Sequence, residues 1–135
     1  MTRTSTTQAT QACPCDSGLA YQACCKPWHQ GPRRLQAPSA VALMRSRYSA
    51  FVLDILQYLL DTWHPDTRPA QLEPNPAGLK WLGLQVRRHV EHDADHATVE
   101  FVARYRQAGR ATRLHETSRF VRRDGRWFYL DGQHS

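Results

Sequence analysis

Apolar residues recur at steps of three and four through Val41, Met44, Tyr48, Phe51, Val52, Ile55, Leu56, Leu59 and Leu60. That period predicts amphipathic helix. Ser39, just after Pro38, is the expected N-cap. Asp54 interrupts the stripe and predicts two helices. His64-Pro65 ends it, because proline disfavours helix in the residue before it. Residues 65–78 hold four prolines and one glycine and read as loop. From Lys80 the period falls to two. Leu82, Leu84 and Val86 are expected on one face. Next, Ala97, Val99, Phe101, Ala103 and Tyr105 alternate with Thr98, Glu100, Val102 and Arg104. RLHETSRFVRR and RWFYLDG follow, joined by Asp124-Gly125, a strong hairpin signal. Gly109 marks the turn before them. Helices followed by about four antiparallel strands predict an α+β domain, a curved sheet wrapped over helices.

The chain has 135 residues, 41% hydrophobic and 22% charged. That is ordinary globular composition with enough apolar residues for a core. No apolar run has the length of a membrane span. Residues 1–12 lack the apolar centre of a signal peptide, so a cytoplasmic protein is expected. The formal net charge is +6. Lys26 and Lys80 are the only lysines among 18 Lys and Arg. Arginine pairs bidentately with carboxylate and phosphate, so an acidic protein or RNA enters the field of partners. No run of like charge exceeds two residues, and a solvated basic surface explains the excess as well.

The cysteines narrow the picture more. All four lie between positions 13 and 25. Stapling disulfides would be spread across the fold, whereas clustered thiols in a chain without a signal peptide read as a metal site. The order is Cys13-x-Cys15, eight residues, then Cys24-Cys25. Four thiolates match the tetrahedral shell of structural zinc. Pro14 stiffens the first pair, and Asp16-Ser17-Gly18 supplies a turn. Oxidised pairing across the two dyads is the competing chemistry. His29, four residues past Cys25, is an alternative fourth ligand, because neighbouring cysteines converge awkwardly.

CPCDSGLAYQACC resembles the SEC-C motif, a short metal-binding module also found at the C-terminus of the SecA translocation ATPase. Cys13, Pro14, Cys15, Ser17, Gly18, Tyr21, Cys24 and Cys25 match its pattern, and Asp16 replaces a usual glycine. The resemblance implies one zinc ion held by Cys13, Cys15, Cys24 and Cys25, with iron(II) as the other possible occupant. ALMRSRYSAFV, YLLDTWHPDTRP, VEFVARYR and RLHETSRFVRRDGRWFYLDG, with the upstream module, resemble the YchJ family of bacterial proteins. That likeness implies a SEC-C segment fused to a cone-shaped α+β domain like nuclear transport factor two. The expected organisation is a disordered tail at 1–11, a metal module at 12–31 and the α+β domain at 32–134. The α+β part lacks cysteine, so it is expected to fold without the metal.

Candidate chemistry in the second part is dispersed. Arg45, Arg47 and Tyr48 lie on the first helix, and Trp63, His64 and Asp66 at the end of the helical region. Arg104, Tyr105, His115, Glu116, Arg119 and Trp127 lie on strands. Period two puts His115 and Glu116 on opposite faces, so they cannot form a dyad. Ion pairing is the plain explanation of these charges. His89, His92, Asp93, Asp95 and His96 read as a polar hairpin loop rather than a metal site. No phosphate loop, serine elbow or isolated nucleophilic cysteine occurs. The leading expectation is a metal-binding adaptor. Its docking edge comprises Tyr21, Lys26, Trp28, Arg33 and Arg34. His64, Arg104, His115 and Glu116 serve a ligand pocket or second surface. A small-molecule enzyme of isomerase or hydratase type and an RNA binder are the alternatives. Monomer and dimer stay open.

Overall fold

A computed structural model describes residues 11–134. A 3-10 turn (Tyr21–Ala23) precedes three helices, α1 (Lys26–His29), α2 (Ala40–Leu53) and α3 (Leu56–Asp61). Four strands follow: β1 (Lys80–Asp93), β2 (His96–Gln107), β3 (Arg110–Arg123) and β4 (Arg126–His134). The expected disordered tail lies outside the described residues except for Gln11, whose carbonyl accepts from the Tyr21 N–H at 2.8 Å.

The break at Asp54 is present. Ser39 Oγ caps α2 by accepting from the Ala42 N–H at 3.1 Å. At the far end Asp54 takes a left-handed conformation (φ 56°), which aspartate tolerates better than most residues. Its carboxylate accepts from the Asn75 N–H at 2.9 Å and ties the proline-rich loop to the helix end.

The strands form one antiparallel meander in the order β1-β2-β3-β4. Ala108-Gly109 and Asp124-Gly125 turn two of the hairpins with positive φ at both positions, matching the right-handed twist of the flanking strands. The core face expected in β2 is present, with Ala97, Val99, Phe101 and Ala103 buried, but Val102 on the other face is buried as well and Tyr105 is only half-buried. That expected in β1 needs correction. A bulge leaves Leu82 unpaired between Trp81 (opposite Tyr105) and Gly83 (opposite Arg104). The extra residue shifts the phase, so Trp81 rather than Leu82 packs on the core with Leu84 and Val86.

Helix α2 touches β1, β2 and β4, so it spans the sheet from one edge strand to the other. The chain after α3 is hydrogen-bonded to β4: Tyr129 N–H donates to the Thr62 carbonyl and His64 N–H to the Tyr129 carbonyl, both at 2.8 Å. The opposite side of α2 is covered as well. Cys13, Cys15 and Cys25 belong to the same core cluster as Leu43, Met44, Tyr48, Val99 and Phe120. Helix α2 is therefore a central element with a sheet on one side and the cysteine segment on the other. No helix among the described residues is long and apolar enough to cross a membrane.

Candidate metal centre

The cysteine sulfurs are brought together by two tight loops. Cys13 N–H donates to the Leu19 carbonyl at 2.9 Å, closing the first loop. Inside it Asp16 (φ 61°) and Gly18 (φ 88°) are left-handed. Cys24 ends the 3-10 turn and Cys25 is the N-cap of α1, with φ/ψ of −124/−90° and −89/−24°. That change of backbone direction lets adjacent side chains converge. The four Sγ atoms lie within 4.8 Å of one another. Cys15–Cys24 is 3.6 Å and Cys24–Cys25 is 3.9 Å. A tetrahedron of sulfurs about 2.3 Å from zinc has edges of about 3.8 Å, so this donor set fits such an ion. The same separations are far beyond the roughly 2.05 Å of a disulfide, and all four thiols are free.

The thiols are electrostatically uneven. Hydrogen bonds from Cys13 and then Cys25 hold Cys15 far below the ordinary thiol range. The Cys25 thiol is pushed far up, first by its hydrogen bond to Cys13, then Cys15, then burial. Burial pushes Cys24 up to about 11. A cation bound among the sulfurs would offset the charge that gathers as thiols deprotonate. Polar groups surround the cluster. Arg45 Nη1 donates to the Cys15 carbonyl at 2.8 Å, Ser49 Oγ lies 3.5 Å from Cys13 Sγ, and Ser17 Oγ 3.1 Å from Cys24 Sγ.

His29 has both ring nitrogens engaged elsewhere. Nε2 donates to the Ser46 carbonyl at 2.8 Å, which fixes the tautomer, and Nδ1 accepts from the Tyr21 hydroxyl at 2.7 Å. Asp16 keeps the left-handed backbone that suits a glycine and adds a contact glycine lacks: its Oδ2 accepts from the Leu84 N–H of β1 at 3.1 Å.

The other predicted residues separate into groups. On the module, Tyr21 is bonded to His29, while Arg34 pairs with Asp61 at 2.9 Å and donates to the His29 carbonyl at 3.0 Å. Tyr21 thus braces the module internally, and Arg34, just beyond it, links it to Asp61 of α3. Lys26 and Trp28 are half-buried and Arg33 is exposed, its guanidinium 5.0 Å above the Trp28 ring. On the second part, His64 is buried and accepts at Nδ1 from the Asp66 N–H at 3.0 Å, closing a turn. Arg104 is exposed and its guanidinium flanks Gly83 beside Asp16. His115 pairs with Glu100 at 2.7 Å. Glu116 enters a cavity of about 240 Å³ between α2 and the sheet. Its Oε2 accepts from Ser118 Oγ at 2.6 Å, and Gly132 leaves the space its carboxylate occupies. The four residues therefore do not converge, and Glu116 alone of them lines the cavity. The histidine-rich loop is a hairpin tip: His96 Nδ1 lies 2.9 Å from Asp93 and His92 Nε2 3.1 Å from Thr98.

Arg47 also lines that cavity. It sits three residues after Met44 and four before Phe51, inside the apolar stripe. A cation at such a position is a signal that the sequence carried.

Fold and centre together define a class: a nuclear-transport-factor-two-like domain carrying an N-terminal SEC-C module. Residues 39–132 match the family model described as YchJ, middle NTF2-like domain, and residues 10–27 match the SEC-C motif. The chain belongs to the YchJ family, whose members are also named UPF0225 proteins. One such protein, from Bordetella parapertussis, is 67% identical over 90% of this chain and 91% of its own length. Another, from Methylibium petroleiphilum, is 62% identical over 90% of this chain and 87% of its own. The solution structure of a SEC-C motif containing protein from Rhodopseudomonas palustris superposes with a TM-score of 0.78. It is 33% identical, over 91% of this chain and 98% of that one. A crystal structure of a SEC-C motif containing protein from Psychrobacter arcticus gives 0.76 at 30% identity, covering 96% and 85%.

Proposed function

We propose that Cys13, Cys15, Cys24 and Cys25 hold one zinc ion as a closed structural centre, and that the module it organises, residues 12–31, docks a partner protein. Iron(II) is the alternative occupant. The observation that carries the reading is the convergence of four sulfurs within 4.8 Å. Four thiolates complete a tetrahedral shell and leave no position for water or substrate, as a catalytic zinc would need. Thiolate charge also weakens the ion as a Lewis acid. Four reduced thiols suit the reducing cytoplasm.

The docking edge is Lys26, Trp28 and Arg33, a basic and aromatic surface suited to an acidic or apolar protein face. Tyr21 and Arg34 position that edge from behind. The NTF2-like domain contributes a second surface or a ligand pocket. The test is capture of partners from native lysate by metal-loaded protein and by a Lys26→Glu/Arg33→Glu variant. Loss of capture with one equivalent of bound metal retained is the expected result. Unchanged capture eliminates docking through this edge. A module that stays ordered with four reduced thiols and no metal eliminates the centre itself.

A further inference from the structure

We propose that the cavity between α2 and the sheet binds a small carboxylic acid with one or two rings, its carboxylate held by Arg47. This site lies apart from the cysteine module and stands whether or not the module docks a partner.

The first support is a cation in an apolar interior. Arg47 is 5% exposed, and none of the ion pairs among the described residues includes it. Its Nη1 donates to the Leu59 carbonyl at 2.8 Å and to Thr62 Oγ1 at 2.7 Å. No described residue accepts from its other two nitrogens. The rings of Tyr129 and Trp63, 4.5 Å and 5.0 Å away, flank the guanidinium. Burial is the main influence on the group and lowers its pKa to about 10, so it remains charged at neutral pH. Buried charge is normally paired in direct contact; among the described residues Glu116, on the same cavity wall, acts on Arg47 from beyond ion-pair distance and no carboxylate touches it.

The second support is the balance of donors and acceptors. Trp63, another wall residue, has a buried indole N–H without a partner. On the acceptor side, Glu116 already receives Ser118 Oγ at 2.6 Å and faces His134 Nε2 at 3.3 Å. The free donors of the wall are therefore the other two Arg47 nitrogens, and a ligand that fits must bring acceptors to them. One carboxylate supplies two oxygens in the geometry a guanidinium fork matches. A phosphate dianion would leave a second negative charge without a cation, at a high desolvation penalty.

The third support is shape. Phe51, Trp81, Phe101 and Phe120 are further wall residues, and such aromatic lining suits a ring. The volume, about 240 Å³, exceeds the roughly 150 Å³ that accepts benzene. It falls short of the roughly 300 Å³ at which drug-sized pockets begin.

The test uses the full chain with its metal, titrated by NMR with benzoate, 2-naphthoate, benzyl alcohol and benzylamine. One of the two acids should bind at a single site and shift the Arg47 Nε–H and Trp63 Nε1–H resonances. Benzyl alcohol should bind at least about tenfold more weakly, the size of a charge-assisted hydrogen bond. Arg47→Lys keeps the charge without the fork and should weaken the acid about tenfold. Ala103→Leu fills the cavity and should abolish binding with metal content unchanged. Equal affinity for acid and alcohol, preference for benzylamine, or no acid binding at millimolar concentration would each overturn the proposal. The comparison of probes on the unaltered chain needs no variant, so poor folding of Arg47→Lys leaves it decisive.

Discussion

The two sides of α2 are built on different physics. Toward the sheet, α2 packs Met44, Tyr48 and Phe51 around a cavity lined by Phe101 and Phe120, and burial of apolar area holds the layers together. Toward the module the contacts are short and polar. Ser46 takes His29 and Ser49 meets Cys13, while Arg45 reaches the Cys15 carbonyl. The module has few large apolar side chains of its own, and its most buried residues are Cys13, Cys15 and Cys25. Directional bonds and four sulfurs must do there what area does in the sheet. A side held by many weak contacts degrades gradually. A side held by one cluster fails together.

The largest effect that would test this contrast is loss of the cysteine cluster. Chelation, or Cys15→Ser, should disorder residues 11–37 and also lower the Tm of the whole chain, because Arg45, Ser46 and Ser49 lose buried partners. Amide spectra of β1–β4 should persist while the module-facing turns of α2 broaden. The sequence pattern alone predicted a cleaner separation, with everything from 38 onward indifferent to the metal. Broadening confined to the first thirty or so residues would restore that simpler picture. Collapse of every strand would show that one cooperative unit exists.

A smaller effect probes the contact between module and sheet directly. Gly83 in β1 has Asp16 Oδ2 and Arg104 Nη2 at 2.8 Å and 2.9 Å from where a Cβ would sit. Gly83→Ala must displace one or both. Arg104 is exposed and can swing away, whereas Asp16 is tethered to the Leu84 N–H. The expected cost is about 1–3 kcal/mol in denaturant unfolding. Asp16→Gly should lose less, keeping the left-handed turn and forfeiting one hydrogen bond of about 1 kcal/mol. If Gly83→Ala is neutral, the Asp16 contact contributes nothing to holding the module.

How much of this was legible follows from the same contrast. Steps of three and four found α2 and α3, and Asp54 divided them where expected. Period two and the Asp124-Gly125 turn found the meander. Cysteine spacing found the cluster. Periodicity misplaced Leu82, because a bulge inserts a residue without any change in hydrophobicity. It also passed over Ser46 and Ser49. Both are fully buried, Ser46 against His29 and Tyr58 and Ser49 against Cys13, contacts that spacing within one helix does not show. Glu116 and Arg47 were visible as charges. Their shared cavity depends on how α2 crosses the sheet, which spacing within one element does not encode. His64 and His115 drew attention for their chemistry, and each is engaged by a near neighbour.

The smallest expected effect is a pH dependence carried by His29. Burial, the leading influence, lowers its pKa below the ordinary value of about 6.5, outweighing its bond to the Ser46 carbonyl. Burial also pushes the Tyr21 hydroxyl up to about 12, so it keeps its proton to donate to Nδ1 at any ordinary pH. Above about pH 6.5 the imidazole is neutral in folded and unfolded chains alike, and its contribution is complete. Below that pH the unfolded chain binds the proton first, and unfolding becomes easier until the folded pKa is reached. Stability should therefore fall on acidification from about pH 7 toward 5.5, within the range where histidine titrates. His29→Gln offers an amide donor and acceptor without the titration, so its slope should be flatter even if it is less stable at pH 7. Saturating zinc in both samples keeps metal release from supplying the difference. Parallel slopes would mean that the module's polar attachment to α2 does not depend on a neutral imidazole, and that the cysteine cluster alone sets its sensitivity to acid.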